Sequence, residues 1–474
     1  MSACIADVDL DVFRKYAGVS LPRHVSYPMP TWWHPLAEDD ARAMIRESDS
    51  TDPMRGLSLY LHIPFCAALC KFCACTKMIQ RHDATGARER TDGYVAALID
   101  EIHRRAESIS GERLLRQIHW GGGTPTYLSE GQITRIHQTV AACFSIADGA
   151  EISMEIDPRV TTSEMLAVMR DLGFNRISMG VQDFDEQVQR HVRRIQSFEM
   201  VKGTVATCRA LGYDSVNFDL IYGMPYQTPE TIRRTVEATI ELSPDRIANY
   251  HYAQIPEKIA TQRGMDYTKL PDSESKLEMF LIGLDLFTDA GYDFIGLDHF
   301  AKSDEGLAAA AGKGTLQRNF QGMTTGGGLD LIGVGVSAIG HLTGVGFLQN
   351  VKEVDRYIDC VRSGGSPIER GKRLTPEDYL RQTVISQLYC NAELRPEQIE
   401  AEFDIDFAQT FERELTILGE LERDGLVTID GSGVIRVTCP LGRVLLRNVA
   451  AVFDAYLDPT AYRDGVEACF SANA

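Results

Sequence analysis

The chain has 474 residues, enough for one large catalytic domain and a smaller one. Apolar residues make up 44% and charged residues 24%, which excludes a disordered or fibrous design. A formal net charge of −19 argues against nucleic acid as a partner, and an anionic small substrate would need a local basic pocket set against that charge.

The opening MSACIADVDLDVFRKY lacks a basic start followed by an apolar run, and no stretch approaches the roughly 18 apolar residues of a membrane helix. A cytoplasmic chain without a membrane partner is expected. Residues 1–55, with LPRHVSYPMPTWWHP, are proline-broken and aromatic and read as an arm packed on the body, with Trp32 and Trp33 in core packing. From residue 57, short β-rich runs alternate with amphipathic stretches: LSLYLHI from Leu57, RQIHWGG from Arg116, EISMEID from Glu151, NRISMGV from Asn175, SVNFDLIYG from Ser215 and RIANYHYA from Arg246. Helical segments such as SEGQITRIHQTVAACF and SFEMVKGTVATCRALGY lie between them. This is the pattern of an α/β barrel, or an open fragment of one, over residues 56–370. Chemistry in such a barrel sits past the strand ends, which here read HIPFC, GGGTP, EIDPR, GVQDF, DLIYGMP and YAQIP. Over 371–474 the texture changes to helices, a β-hairpin turning at Asp430–Gly433, and a final helix from Leu441 to about Leu457. That region is expected to be a small, mostly helical, winged-helix-like domain capping the barrel.

Four of the eleven cysteines, Cys66, Cys70, Cys73 and Cys75, fall within ten residues. The other seven (Cys4, Cys143, Cys208, Cys360, Cys390, Cys439 and Cys469) read as ordinary small hydrophobes. CAALCKFCAC gives Cys-x3-Cys-x2-Cys followed by Cys75. Structural zinc usually takes four protein ligands, often as two separated pairs, and no second pair follows. A cubane iron-sulfur cluster that only transfers electrons also takes four thiolates, whereas three leave one iron open. The cluster of cysteines follows the first predicted strand, and the run Gly121–Pro125 follows the second, where a lack of side chains lets backbone amides approach a ligand.

The cysteine spacing, with Phe72 directly before the third cysteine, resembles the radical S-adenosylmethionine (SAM) superfamily. That implies a 4Fe-4S cluster on Cys66, Cys70 and Cys73 whose open iron chelates SAM and generates a deoxyadenosyl radical. Over nearly the whole chain, PRHVSYP, LYLHIPFCAALCKFCAC, HWGGGTPTYL, MEIDPR, SMGVQDFD, DLIYGMPYQT, NYHYAQIP, GLDHFA, RNFQG and GVGVSAIG resemble, in order, the oxygen-independent coproporphyrinogen III oxidases (dehydrogenases) of anaerobic haem biosynthesis. The resemblance implies a partial (β/α)6 barrel with a C-terminal helical domain and two bound SAM molecules. Tyr60, Gly122 and Glu155 would hold the cluster-bound SAM. Phe72, Gly123, Thr124, Gln182, Arg194, Asp219, Ala253 and Ile339 would hold the second. Cys75 matches the family's extra cysteine, and Tyr60, Cys75 and Gln321 are the catalytic candidates.

The implied reaction turns two propionates of a tetrapyrrole into vinyl groups. For its carboxylates the sequence offers Arg23, Lys77, Arg190, Arg193 and Arg194. A reducing electron donor such as flavodoxin or ferredoxin and a monomeric state are expected. The chain departs from the family at His24, Val25 and Met323. Two rivals share the barrel: a haem-trafficking chaperone, whose HNxxYW string is absent here, and a radical SAM methyltransferase or haem-opening enzyme.

Overall fold

The computed structural model describes residues 8–466, which leaves Cys4 and Cys469 outside. The six anticipated strands are β1 (Leu57–Ile63), β2 (Leu115–Gly122), β3 (Ile146–Ile156), β4 (Arg176–Gln182), β5 (Ser215–Tyr222) and β6 (Arg246–His251). They pair in parallel and in chain order, joined by helices that include Glu130–Cys143, Ser163–Asp171, Phe198–Ala210 and Pro229–Leu242. Each of those four helices starts where a hydroxyl, from Ser129, Thr162, Ser197 or Thr228, accepts a bond from a first-turn amide.

Eight further strands follow: β7 (Tyr292–Gly296), β8 (His299–Lys302), β9 (Gln317–Asn319), β10 (Gly322–Thr324), β11 (Asp330–Val334), β12 (Ile339–Leu342), β13 (Gly346–Asn350) and β14 (Ile368–Arg373). The main sheet has 13 strands in the order His34–Pro35, β14, β13, β12, β11, β1 to β6, β8, β7, and β9–β10 form a separate hairpin. The half barrel is therefore open, with β11 parallel to β1 on one side and antiparallel β8 beside β6 on the other.

Strand alternation decides what faces inward. Even-numbered residues of β1, β4 and β6 and odd-numbered residues of β2, β3 and β5 face the lumen, including Ser58, Gln117, Glu155, Ser178, Asp219 and Tyr250. Their neighbours Leu59, Ile118, Met154, Ile177, Phe218 and Ile247 are buried on the other face, against the helices. A closed barrel of this type normally fills its centre with branched apolar side chains, and this lumen is polar instead.

The arm contains two helices, Leu10–Ala17 and Glu38–Thr51, and its Phe13, Tyr16 and Leu21 are fully buried. Trp33 stacks on Phe347 with ring centroids 5.1 Å apart, as core packing predicts. Trp32 departs from that expectation: it is 39% exposed and leans on Tyr456. The C-terminal part begins with the helix Pro376–Asn391 and carries the predicted hairpin, Val427–Ile429 with Ile435–Val437, joined by Glu393–Leu394 as a third strand. β14 crosses the 370/371 division. The long final helix is replaced by two short ones, Leu441–Val444 and Leu446–Ala451. Asp454 stops it, because its carboxylate accepts from the Tyr456 amide at 2.9 Å and faces His24 Nε2 at 2.9 Å. No helix among the described residues is long and apolar enough to cross a membrane.

A buried ion pair between Arg113 and Asp330 is tied to the arm through Ser48. Asp330 accepts from Arg113 Nη2 at 2.6 Å, from the Thr343 amide at 2.8 Å and from the Ser48 hydroxyl. Burial pushes its carboxyl up, but the bonds from Ser48 and Arg113 outweigh this and hold it below the ordinary value. Its stabilising contribution is thus complete above the unfolded pKa of about 4 and fades as pH falls through the lower folded value. Arg113→Ala leaves that carboxylate buried without its main partner and is expected to cost about 3–5 kcal/mol, read as a fall in apparent Tm near neutral pH.

Candidate active site

β1 ends at Ile63, and Pro64 turns the chain so that Phe65–Cys66 pairs in parallel with Met78–Ile79, closing the cysteine loop at its base. The loop is held from three sides. The Lys71 amide donates to Val192 O at 3.0 Å, and Lys77 Nζ donates to the carbonyls of Cys73 (2.9 Å) and Cys75 (3.2 Å). Gln262, almost fully buried, donates through Nε2 to Phe72 O at 3.1 Å and to Ala253 O at 2.9 Å, which ties the loop to the segment after β6.

The three thiols meet different surroundings. Cys66 Sγ lies 3.4 Å from Thr124 Oγ1, and burial pushes its thiol up to about 11, so its ionisation is tied to metal binding. Cys70 Sγ receives Arg194 Nη1 at 3.6 Å and Arg159 Nη2 at 3.8 Å. Both guanidinia also hold Asp157, at 3.1 and 2.6 Å respectively. Cys73 and Cys75 share a hydrogen bond that holds the first thiol below and the second above the ordinary value. Cys75 is exposed whereas Cys66 and Cys70 are buried.

The glycine run lies alongside. A Cβ on Gly123 would come within 2.6 Å of Pro64 O, one on Gly121 within 2.8 Å of Glu155 Oε1, and Gly122 has φ +112°, so only glycine fits this approach of β2 to the loop. The Gly122 amide donates to Glu155 at 3.1 Å, and His119 Nε2 lies 3.2 Å from the same carboxylate. Tyr60 stacks on His119, and its hydroxyl is 3.0 Å from His62 Nδ1. Gln182 and Arg194 converge on Gly180, whose added Cβ would lie 2.7 and 3.1 Å from their side-chain nitrogens. Asp219 accepts from Asn217 and Ser178 deeper in the lumen, where burial, then the charge of Glu155, lifts it to about 6. Gln321 lines the same space from the β9–β10 hairpin, as does Met323. Ile339 is brought close indirectly. Gly333 pairs with Tyr60, and a Cβ on it would meet the Ile339 carbonyl at 2.5 Å, so the start of β12 folds over that part of the wall.

Among the described residues no three His, Cys, Asp or Glu side chains converge as one metal ion requires. A cubane spreads its thiolates further apart than a single ion does, and the donor set here, three thiols beside two guanidinia, fits such an anionic group.

The basic candidates fare unevenly. Arg190 is exposed and paired with Glu186, Arg193 is exposed at the end of its helix, and Lys77 is turned onto the cysteine loop, so these three do not face the lumen. Arg194 is spent on Asp157 and Gly180, and Arg23 reaches the end of β6. The departure at His24 has a structural role, since its ring lies between Asp454 and Tyr389. Arg159, Asp157 and Gln262 escaped the sequence reading, although the first two stand in the MEIDPR segment.

Residues 60–239 match the Radical SAM superfamily, and residues 374–440 match the HemN C-terminal domain. Proteins named oxygen-independent coproporphyrinogen III oxidase from Salmonella typhimurium and Escherichia coli are each 43% identical over 457 residues, covering 96% of this chain and 97% of theirs. The solved structure titled "Coproporphyrinogen III oxidase (HemN) from Escherichia coli is a Radical SAM enzyme" superposes with TM-score 0.87 at 41% identity, over 95% of this chain and 99% of that one. The chain belongs to the oxygen-independent coproporphyrinogen III oxidase family. Membership in this radical SAM family implies a 4Fe-4S cluster and SAM, for which the cysteine loop and glycine run are the matching features. Serine in place of Cys66, Cys70 or Cys73 is expected to abolish iron and sulfide uptake on anaerobic reconstitution. Cys75→Ser should retain it, and equal loss in all four variants would contradict a three-thiolate site.

Proposed function

We propose that this chain carries out the oxygen-independent oxidative decarboxylation of two propionates of coproporphyrinogen III to vinyl groups, giving protoporphyrinogen IX in haem biosynthesis. One observation carries the reading: a loop of three thiols and a glycine run meet at the strand ends of an open barrel whose lumen is polar, in a chain matching that family along almost its full length. For each propionate a hydrogen atom leaves the β-carbon, carbon dioxide leaves from the carboxyl, and one electron passes on. The cluster on Cys66, Cys70 and Cys73, with SAM, supplies the hydrogen-abstracting radical when bound.

The protein's own residues position and protect. Arg194 and Arg159 place positive charge at Cys70 and are themselves fixed by Asp157, which suits an anionic cluster bound there. Gly122 and Glu155 present a backbone amide and a carboxylate side by side, suited to the amino-acid and ribose ends of SAM, with Tyr60 stacked on the neighbouring His119. The reading includes a second SAM held by Phe72, Gly123, Thr124, Gln182, Arg194, Asp219, Ala253 and Ile339. What supports it is that Gln182 and Arg194 converge on Gly180, while Gln262 links Phe72 to Ala253. The reading takes Cys75, Tyr60 and Gln321 as the groups that act at the reacting end. An external one-electron reductant of the flavodoxin or ferredoxin kind completes the cycle. A monomer in a reducing cytoplasm accords with free cysteines throughout the described residues.

Anaerobic protein with its cluster, given reductant, SAM and coproporphyrinogen III, should yield products lighter by one and then two carbon dioxides, together with deoxyadenosine. Deoxyadenosine without decarboxylation would sink the substrate assignment. Because Asp219 titrates near 6, its charged acceptor is present above that pH and lost below it. SAM affinity by equilibrium dialysis should weaken by roughly threefold from pH 7.5 to 5.5, and Asp219→Asn should flatten this dependence.

A further inference from the structure

The reading above demands a place for the substrate's carboxylates, and of the five residues expected to provide it, Lys77, Arg190, Arg193 and Arg194 face elsewhere or are spent on other partners, leaving Arg23. Positive charge collects instead between the arm, the β9–β10 hairpin and the C-terminal helix Pro376–Asn391. Arg23 Nη2 is paired with Asp298 at 2.5 Å, and its Nη1 points to the carbonyl of His251 at 3.5 Å. Arg318, on β9, donates through Nη1 to Arg23 O at 2.7 Å and lies over the ring of Tyr389 at 5.1 Å. Among the described residues Arg318 makes no ion pair, and its buried Nε has no hydrogen-bond partner. Burial and its neighbour Arg23 both act against its charge, and the same two causes hold the adjacent Arg447 down at about 9. His251, also beside Arg23, is buried with neither ring nitrogen partnered among the described residues. Local positive charge of this density, in a chain of net charge −19, is costly unless an anion joins it.

Space for that anion is present. Arg318 lines a cavity of about 320 Å³ together with Tyr389, Gln382 and His341. Ser58, Gln117, Asn319 and Thr324 line both this cavity and the inner one of about 100 Å³ that holds Glu155 and Asp219. The two are therefore one path, running from the C-terminal helix into the lumen. Together they match the size range of a small-molecule site, about 300–1,000 Å³.

We propose that Arg318, supported by Arg23, is a carboxylate-binding subsite that anchors one propionate of the tetrapyrrole while the ring extends into the lumen. Resting on the functional reading above, the assignment names the residue that reads the substrate's acid groups from the far side of the cavity. A guanidinium fork receives a carboxylate through two parallel bonds, a geometry that lysine lacks.

The test uses the cluster-loaded protein and titrates it with coproporphyrin III, the stable tetra-acid, and with its uncharged tetramethyl ester, following porphyrin fluorescence. Wild type should prefer the acid. Arg318→Gln should bind the acid about tenfold or more weakly and leave the ester unchanged. An Arg318→Gln protein with wild-type melting and iron content that binds the acid normally, or that loses acid and ester equally, overturns the proposal. Should that variant fail to fold, Arg318→Lys keeps the charge without the fork, and undiminished acid binding by it counts equally against the subsite. Acid binding by wild type without decarboxylation would instead remove the functional reading and leave the subsite standing.

Discussion

A barrel wall with polar side chains on its inner face cannot collapse upon itself. Glu155, Ser178, Asp219 and Tyr250 all project into the lumen, so the half barrel stays open and something else must close it. The arm, the β9–β10 hairpin and the helix Pro376–Asn391 supply that cover, and each is anchored by polar contacts. Gln382 donates to Tyr27 O at 2.8 Å, and Arg318 donates to Arg23 O. The apolar core lies outside the barrel wall, between strands and helices, where Leu59, Trp120, Met154 and Phe218 are sealed from water. Stability and chemistry thus occupy opposite faces of the same strands.

The mouth of the barrel is governed by charge held in place before any ligand arrives. Asp157 fixes Arg159 and Arg194, and these in turn face Cys70, so one buried carboxylate sets the field around the thiol loop. The adjacent glycines allow β2 to approach that loop more closely than any side chain would permit. Preorganisation of this kind costs folding energy and spares it at the moment of reaction.

Much of this was legible in the chain. The β-rich runs LSLYLHI, EISMEID and SVNFDLIYG, with their alternation, marked the strands, and the spacing in CAALCKFCAC marked the thiol loop. That same alternation also carried the polar lumen, because strands buried on both faces would read as unbroken apolar runs. Strands β7 to β14 were hidden since each spans only three to six residues, too short for a periodic pattern, and some, like IERGKR in β14, are polar. The final helix was overestimated because Asp454 looks solvent-seeking until His24 is beside it. Arg318 gave no local sign either, since an arginine on a short hairpin becomes unusual only when burial and neighbours are known.

The pair between His24 and Asp454 joins positions 430 residues apart. At a synthesis rate of about 5–20 residues per second, the first waits roughly 20–90 s for the second to leave the ribosome. The barrel strands and the thiol loop are complete well before then. The contact that closes the lumen against the C-terminal part therefore cannot form until nearly the whole chain has been made.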